Sequence, residues 1–274
     1  MDSNIQVFGL IEAPPRSSSV GVIIVLSVIA AFSLTLAILS TASALTLVLL
    51  AGLLSLAIIN KAIYAVHAAL FIFLWVLLVK LVPICKVWPF NTLTPLIIYG
   101  AVAIIIPRLR HSIGWIHGGK IDTKTLKLII FTAFISAVAL IAWVLLAKPD
   151  LEHHLALYPE LPFWAYPFAG IGFALFNAAI EEAIFRGIIM ESLDSALGAG
   201  YWSVGIQAIP FAALHYLAGF PNGLMGFAMV LVYGIMLGAI RRISKGMLAS
   251  FIAHIMTDIT IFSILAIILF QHNN

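Results

Sequence analysis

The sequence predicts an all-α protein, a polytopic bundle of about nine transmembrane helices whose last four form a C-terminal core. Three observations predict it. The 274 residues are 63% hydrophobic and only 9% charged, where soluble domains are about a quarter charged, and the mean hydropathy is +1.16. Apolar runs of about 20 residues, the length that crosses a bilayer at 1.5 Å per residue, recur along the whole chain. Lysine and arginine gather in alternate connecting segments, as they do on the cytoplasmic side of membrane proteins.

The chain begins with a polar segment, Met1 to Ser19, holding Pro14, Pro15 and Arg16. From Val20 to Ile59 the residues are almost uncharged; that run is too long for one crossing, so Ser40-Thr41-Ala42-Ser43 is expected to turn between two spans. The run lacks a basic n-region and flows into the second span, so no cleavable signal peptide is expected. A third span follows near Tyr64 to Leu81, a fourth near Leu93 to Ile106 and a fifth near Leu128 to Ala147. The sixth, from about Phe163 to Met190, is long. The seventh covers about Tyr201 to Leu217, the eighth Gly223 to Ile240 and the ninth Met247 to Phe270. This organisation predicts an N-terminal membrane region over residues 1–160 with about five spans, and the core over 161–274. The single cysteine, Cys85, excludes an internal disulfide and a cysteine metal cluster.

Loop charge orients the bundle. With the N-terminus inside, the inner segments hold Arg16, Lys61, Arg108, Arg110, Lys120, Lys124, Lys127, Arg241, Arg242 and Lys245, whereas the outer ones hold Lys80, Lys86 and Lys148. The expected topology is N-terminus cytoplasmic and C-terminus outside. Lys120 to Lys127 with Trp115 reads as an inner interfacial segment touching anionic lipid heads, with no sign of nucleic-acid binding. The outer loop from Lys148 to Pro162, with Asp150, Glu152, His153, His154 and Glu160, reads as solvated.

The stretch Phe176 to Gly187 sets two adjacent carboxylates, Glu181 and Glu182, and Arg186 inside an otherwise apolar helix. Each such charge costs roughly 2.5–3.5 kcal/mol at the centre of a spanning helix even on lenient scales, so three in six residues require partners or a purpose. Glu182 and Arg186 are spaced i, i+4 and can pair. Glu181 points about 100° away and is the acid left over. The other ionisable residues at membrane depth are His67, His215, His254 and Asp258. Helix rise places Glu181 roughly 13 Å, His254 roughly 10 Å and Asp258 roughly 16 Å from the inner ends of their helices. His215, at roughly 21 Å, needs a tilt or a break to join them, which Pro210 can supply. His67 lies outside any motif and reads as a hydrogen-bonded bundle histidine.

Glu181-Glu182-x-x-x-Arg186, Phe211-x-x-x-His215 and His254-x-x-x-Asp258, in that order and each within a predicted span, resemble the three motifs of the CAAX prenyl endopeptidase and bacteriocin-processing family, also called the Abi family of intramembrane proteases. The resemblance covers roughly Ala165 to Leu265. It implies an endopeptidase that cuts a membrane-anchored or hydrophobic peptide, such as a prenylated C-terminal tail or a leader peptide, inside or close to the membrane; the orientation and depths above put the site in the inner half of the bilayer. It further implies that Glu181 activates water, His215 helps to hold that water, and His254 and Asp258 stabilise the oxyanion, with Glu182 and Arg186 in support and no cofactor. One departure stands out. Where many members have asparagine this chain has Asp258, and an ionised aspartate cannot donate to an oxyanion; either Asp258 is protonated or it orients His254 by accepting from the ring.

Two other chemistries fit the same residues. Glu181, His215, His254 and Asp258 are all competent zinc ligands, although the helical His-Glu-x-x-His signature is absent. Intramembrane carboxylates and histidines also build proton relays in transporters, but those relays come with paired repeats, and here the charges cluster in the C-terminal third without a partner half. A non-catalytic scaffold or immunity factor that keeps the motif residues for structure is the third class.

Overall fold

The computed structural model describes residues 14–37 and 44–272. The expected turn at Ser40–Ser43 and most of the polar N-terminal segment lie outside them. Helices stand at all nine expected places: α1 (Ser19–Ala37), α2 (Ala44–Ile59), α3 (Ile63–Leu81), α4 (Phe90–Ile105), α5 (Thr123–Ala147), α6 (Phe163–Leu197), α7 (Tyr201–Ala218), α8 (Gly223–Ser244) and α9 (Met247–His272). No strand occurs among the described residues.

Six of these helices, α1, α3, α5, α6, α8 and α9, are long and apolar enough to cross a membrane. The other three fall short for different reasons. α2 and α4 are apolar but have 16 residues each, about 24 Å of helix against a hydrocarbon core of about 30 Å. α7 has 18 residues and carries Gln207, Pro210 and His215 along it. The protein is an integral membrane bundle of helices, with six full-length candidate spans among the described residues and the shorter α2, α4 and α7 at the other three expected places.

Local chemistry explains the helix ends. Asp122 caps α5 by accepting the Thr125 N–H at 2.8 Å. α5 and α8 each stop on a lysine in the left-handed conformation, Lys148 (φ 44°) and Lys245 (φ 54°), the conformation that closes a helix C-terminus. Leu45, Ile105 and Leu146 are among many apolar side chains left exposed; in a bilayer such positions face lipid, which needs no polar cover.

α6 and α7 occupy the middle. On one side α1 packs on α3 and α7, α2 on α3, and α3 on α4, with Phe32, Phe71, Trp75, Phe185 and Phe211 in one continuous core. On the other side α9 packs along α6, and α5 packs on α8 and α9. α7 and α8 make the most extensive pairing. They approach closely because Gly234 and Gly238 face α7: a methyl group on Gly234 would sit 3.0 Å from Ala208, and one on Gly238 would sit 2.8 Å from the Gln207 amide.

The segments expected on the inner side meet at one end of the bundle. Ser17 N–H donates to the Ser195 carbonyl (2.8 Å), Gly114 N–H to Glu191 (3.0 Å), Lys120 N–H to the Ser244 carbonyl (2.8 Å) and Met247 N–H to the His117 carbonyl (2.9 Å). Arg241 and Arg242 both pair with Asp194 there. Trp115 is half-buried and lies against Gly187 of α6, so its ring serves helix packing where the sequence suggested lipid contact.

Candidate active site

The polar residues of the site come from the middle of α6, the second half of α7 and the first half of α9. α6 is α-helical over Tyr166–Glu181 and becomes a π-helix over Glu182–Ile189. π segments are rare and concentrate at functional places, and this one begins at the second glutamate and carries Arg186. Glu181, Glu182 and Arg186 are 7%, 2% and 0% exposed, and His254 and Asp258 are 2% and 3% exposed. Five ionisable groups are thus held out of water together.

His254 of α9 is their centre. Its Nδ1 donates to Glu182 Oε1 at 3.0 Å, its Nε2 lies 3.3 Å from Glu181 Oε2, and the same Nε2 lies 3.7 Å from Asp258 Oδ1 one turn along α9. Glu182 Oε1 also meets Arg186 NH1 at 3.1 Å, as the i, i+4 spacing predicts. The guanidinium is further held by the Gly234 carbonyl at 3.4 Å and by the Phe211 face, 4.3 Å from its ring centre.

Both imidazole nitrogens therefore face carboxylates. A neutral ring donates from only one nitrogen, so ring and carboxylates together hold at least one proton beyond those of a neutral imidazole. The orientation of His254 is fixed by Glu182. Asp258, at 3.7 Å, is beyond hydrogen-bond range, so of the two parts open to Asp258 the orienting one falls to the second glutamate. Glu181 Oε2 has no hydrogen-bond partner among the described residues, because the His254 N–H is not aligned on it.

His215 reaches the same region without a break in α7, which runs through Pro210 to Ala218. Its Nδ1 lies 3.0 Å from the Phe211 carbonyl oxygen. That nitrogen must carry the hydrogen, since a carbonyl only accepts, and in the neutral ring Nε2 is left as an acceptor. His215, His254 and Asp258 share the wall of a cavity of about 360 Å³ with Phe211, Tyr233 and Phe220, and His215 is close enough to Glu181 to interact electrostatically. α5, which precedes the four helices of the expected core, contributes Ser136 and Leu140 to the same wall.

Three participants escaped the sequence reading. Asn177, four residues before Glu181, donates to Asp258 Oδ2 at 3.1 Å, and Trp88, in the loop before α4, donates to Asn177 Oδ1 at 3.3 Å. A lone amide one turn ahead of the glutamates was a visible signal for Asn177; nothing local pointed to Trp88. Tyr233 of α8 stands edge-on to His254, ring centres 5.7 Å apart. His67 is a bundle histidine as expected, joined to Tyr99 at 2.6 Å and Ser112 at 2.8 Å. His154 corrects an expectation: it is half-buried, lies 3.0 Å from the Gly219 carbonyl and packs on Phe220, so this part of the outer loop is docked on the α7–α8 turn.

Among the described residues no three histidine, cysteine, aspartate or glutamate side chains form a group that could hold a metal ion. Residues 162–260 match a family model, type II CAAX prenyl endopeptidase Rce1-like. The matched segment begins one residue before α6, ends within α9 and includes all three motifs, so the resemblance that they carry is borne out over this part of the chain. No curated protein and no solved structure matches the chain.

Proposed function

We propose that this protein is a glutamate-type intramembrane endopeptidase that hydrolyses a peptide bond in a membrane-anchored or hydrophobic substrate. One observation carries the reading: within the family-matched segment, Glu181 faces His254 in a buried cluster beside a cavity that His215 also lines. A peptidase needs a base for water, donors for the oxyanion and an acid for the leaving amine.

Glu181 Oε2, buried and unengaged, accepts the proton of a water molecule whose other hydrogen is accepted by His215 Nε2. The water oxygen bonds to the scissile carbonyl carbon, and the carbonyl π electrons move onto oxygen. The His254 N–H on Nε2 turns from the carboxylates to that oxyanion, a donor kept aimed by Glu182 at Nδ1. As the carbon–nitrogen bond breaks, Glu181 passes its proton to the amine nitrogen. Glu182, paired with Arg186, supports His254 without entering the exchange. The reaction is read as metal-free because His254 is committed to Glu182 at Nδ1 and, on this reading, to the oxyanion at Nε2. Loop charge supports an N-terminus inside and a site in the inner half of the bilayer.

The test is a comparison of membrane-derived peptides in cells expressing the protein or its Glu181→Gln variant, followed by cleavage of the identified substrate by purified protein with and without a chelator. The expected result is uncut substrate accumulating with Glu181→Gln, and purified activity indifferent to chelation. Activity that a chelator removes and zinc restores would favour the metalloprotease. A Glu181→Gln variant that cleaves normally would return the protein to the transporter or scaffold class.

A further inference from the structure

Tyr233 projects from α8 into the wall of the cavity shared by His215, His254 and Asp258. Its ring is edge-on to His254 and packs beside Phe211, with ring centres 5.7 and 6.3 Å apart. The phenol oxygen is buried and has no hydrogen-bond partner among the described residues. Thr257 approaches it, and the Thr257 hydroxyl, which donates to the Ala253 carbonyl at 3.3 Å, keeps lone pairs toward the phenol without closing a hydrogen bond to it. A buried, unsatisfied hydroxyl costs about 1–3 kcal/mol, so a donor left idle at this place is kept for something that arrives.

The site lacks such a donor. An oxyanion hole works through two or more fixed hydrogen-bond donors, and the residue that would supply the second here is Asp258. That carboxylate already accepts from Asn177 and has no N–H to offer. With Asp258 ionised, His254 alone would face the oxyanion.

We propose that Tyr233 is a further catalytic residue, whose phenol O–H donates the second hydrogen bond to the oxyanion and so replaces the amide donor that Asp258 cannot be. The proton stays on the phenol throughout; no bond of Tyr233 is made or broken. The proposal rests on the hydrolase reading given above.

Tyr233→Phe removes the hydroxyl and keeps the ring against His254 and Phe211. With the purified protein, kcat should fall on the order of 10²-fold, the usual loss of one oxyanion donor, while KM stays as in the parent and the melting temperature rises, because the unsatisfied hydroxyl is gone. Adding Asp258→Asn to Tyr233→Phe returns an amide N–H to the site and should recover kcat at least tenfold. A kcat within threefold of the parent in Tyr233→Phe overturns the proposal. A loss that Asp258→Asn does not relieve also overturns it, because the phenol would then act by positioning Asp258. Glu181→Gln, assayed alongside, separates the two layers: if it is inactive while Tyr233→Phe is fully active, only the tyrosine assignment fails, and if it is active, the hydrolase reading fails and this proposal with it.

Discussion

Removing Arg186 should unfold the centre of the bundle through the charge it leaves behind. The guanidinium is wholly buried, its NH1 is 3.1 Å from Glu182 Oε1, and Glu182 is itself 2% exposed. In Arg186→Met the side-chain volume is nearly kept, but Glu182 loses its counter-charge and retains only His254. Breaking a buried pair from one side costs about 3–5 kcal/mol. If the orphaned carboxylate is the cause, Glu182→Gln in the same chain should remove it, since the amide oxygen still accepts from His254 Nδ1; about 2–3 kcal/mol should then return, because replacing both ends of a buried pair is far cheaper than breaking it. The assay is a double-mutant cycle by equilibrium unfolding in mixed detergent and SDS micelles. Energies of the two substitutions that add within about 0.5 kcal/mol, the range of independent sites, would refute the reasoning.

Asn177→Leu breaks the link from Trp88 to Asp258 and should cost about 1.5 kcal/mol, or about tenfold in kcat/KM; steady-state kinetics unchanged from the parent would show the link to be idle. Gly187→Ala sets a methyl group 2.7 Å from the Trp115 ring; the overpacking should cost about 1–3 kcal/mol in the same micelle assay and be relieved by Trp115→Ala. Asp122 is held below the ordinary carboxylate value, first by accepting the Thr125 backbone N–H. A depressed folded value means that its support of the α5 N-terminus is present above the unfolded value of 3.8 and is lost as pH falls through the folded one. The protection of the Thr123 to Leu126 amides, their exchange relative to the unstructured-chain rate at each pH, should fall in acid in the parent and stay flat with pH in Asp122→Asn; equal acid sensitivity of protection in the two would contradict the capping account.

Helices at membrane scale were legible because their signal is local: long uncharged runs bounded by Lys61, Lys148 or Arg241 need no partner to be read. The count was less so, because α2 and α4 are as apolar as full spans but only 16 residues long, and hydropathy alone does not separate a short apolar helix from a full crossing. Within the site, Glu182 with Arg186 was readable from i, i+4 spacing on one helix. The meeting of Glu181 with His254 was approachable because helix rise gives depth. The switch to a π-helix at Glu182 was not readable, and neither was the part of Glu182 in aiming His254, because one residue of helical rotation decides which acid faces which nitrogen. Tyr233 and Trp88 are ordinary aromatics in a chain rich in them. Only packing of α8 on α7, set by Gly234 and Gly238, and of α4 beside α6 gives those two aromatics a place.

The most direct test of the account is proteolysis in liposomes that contain only the purified protein and a lipid-anchored peptide substrate identified in cells. The account predicts cleavage that continues in excess chelator, falls by at least about 10³-fold in Glu181→Gln and persists in His67→Ala. Equal cleavage by the parent and Glu181→Gln would contradict it, as would stoichiometric zinc whose removal abolishes cleavage.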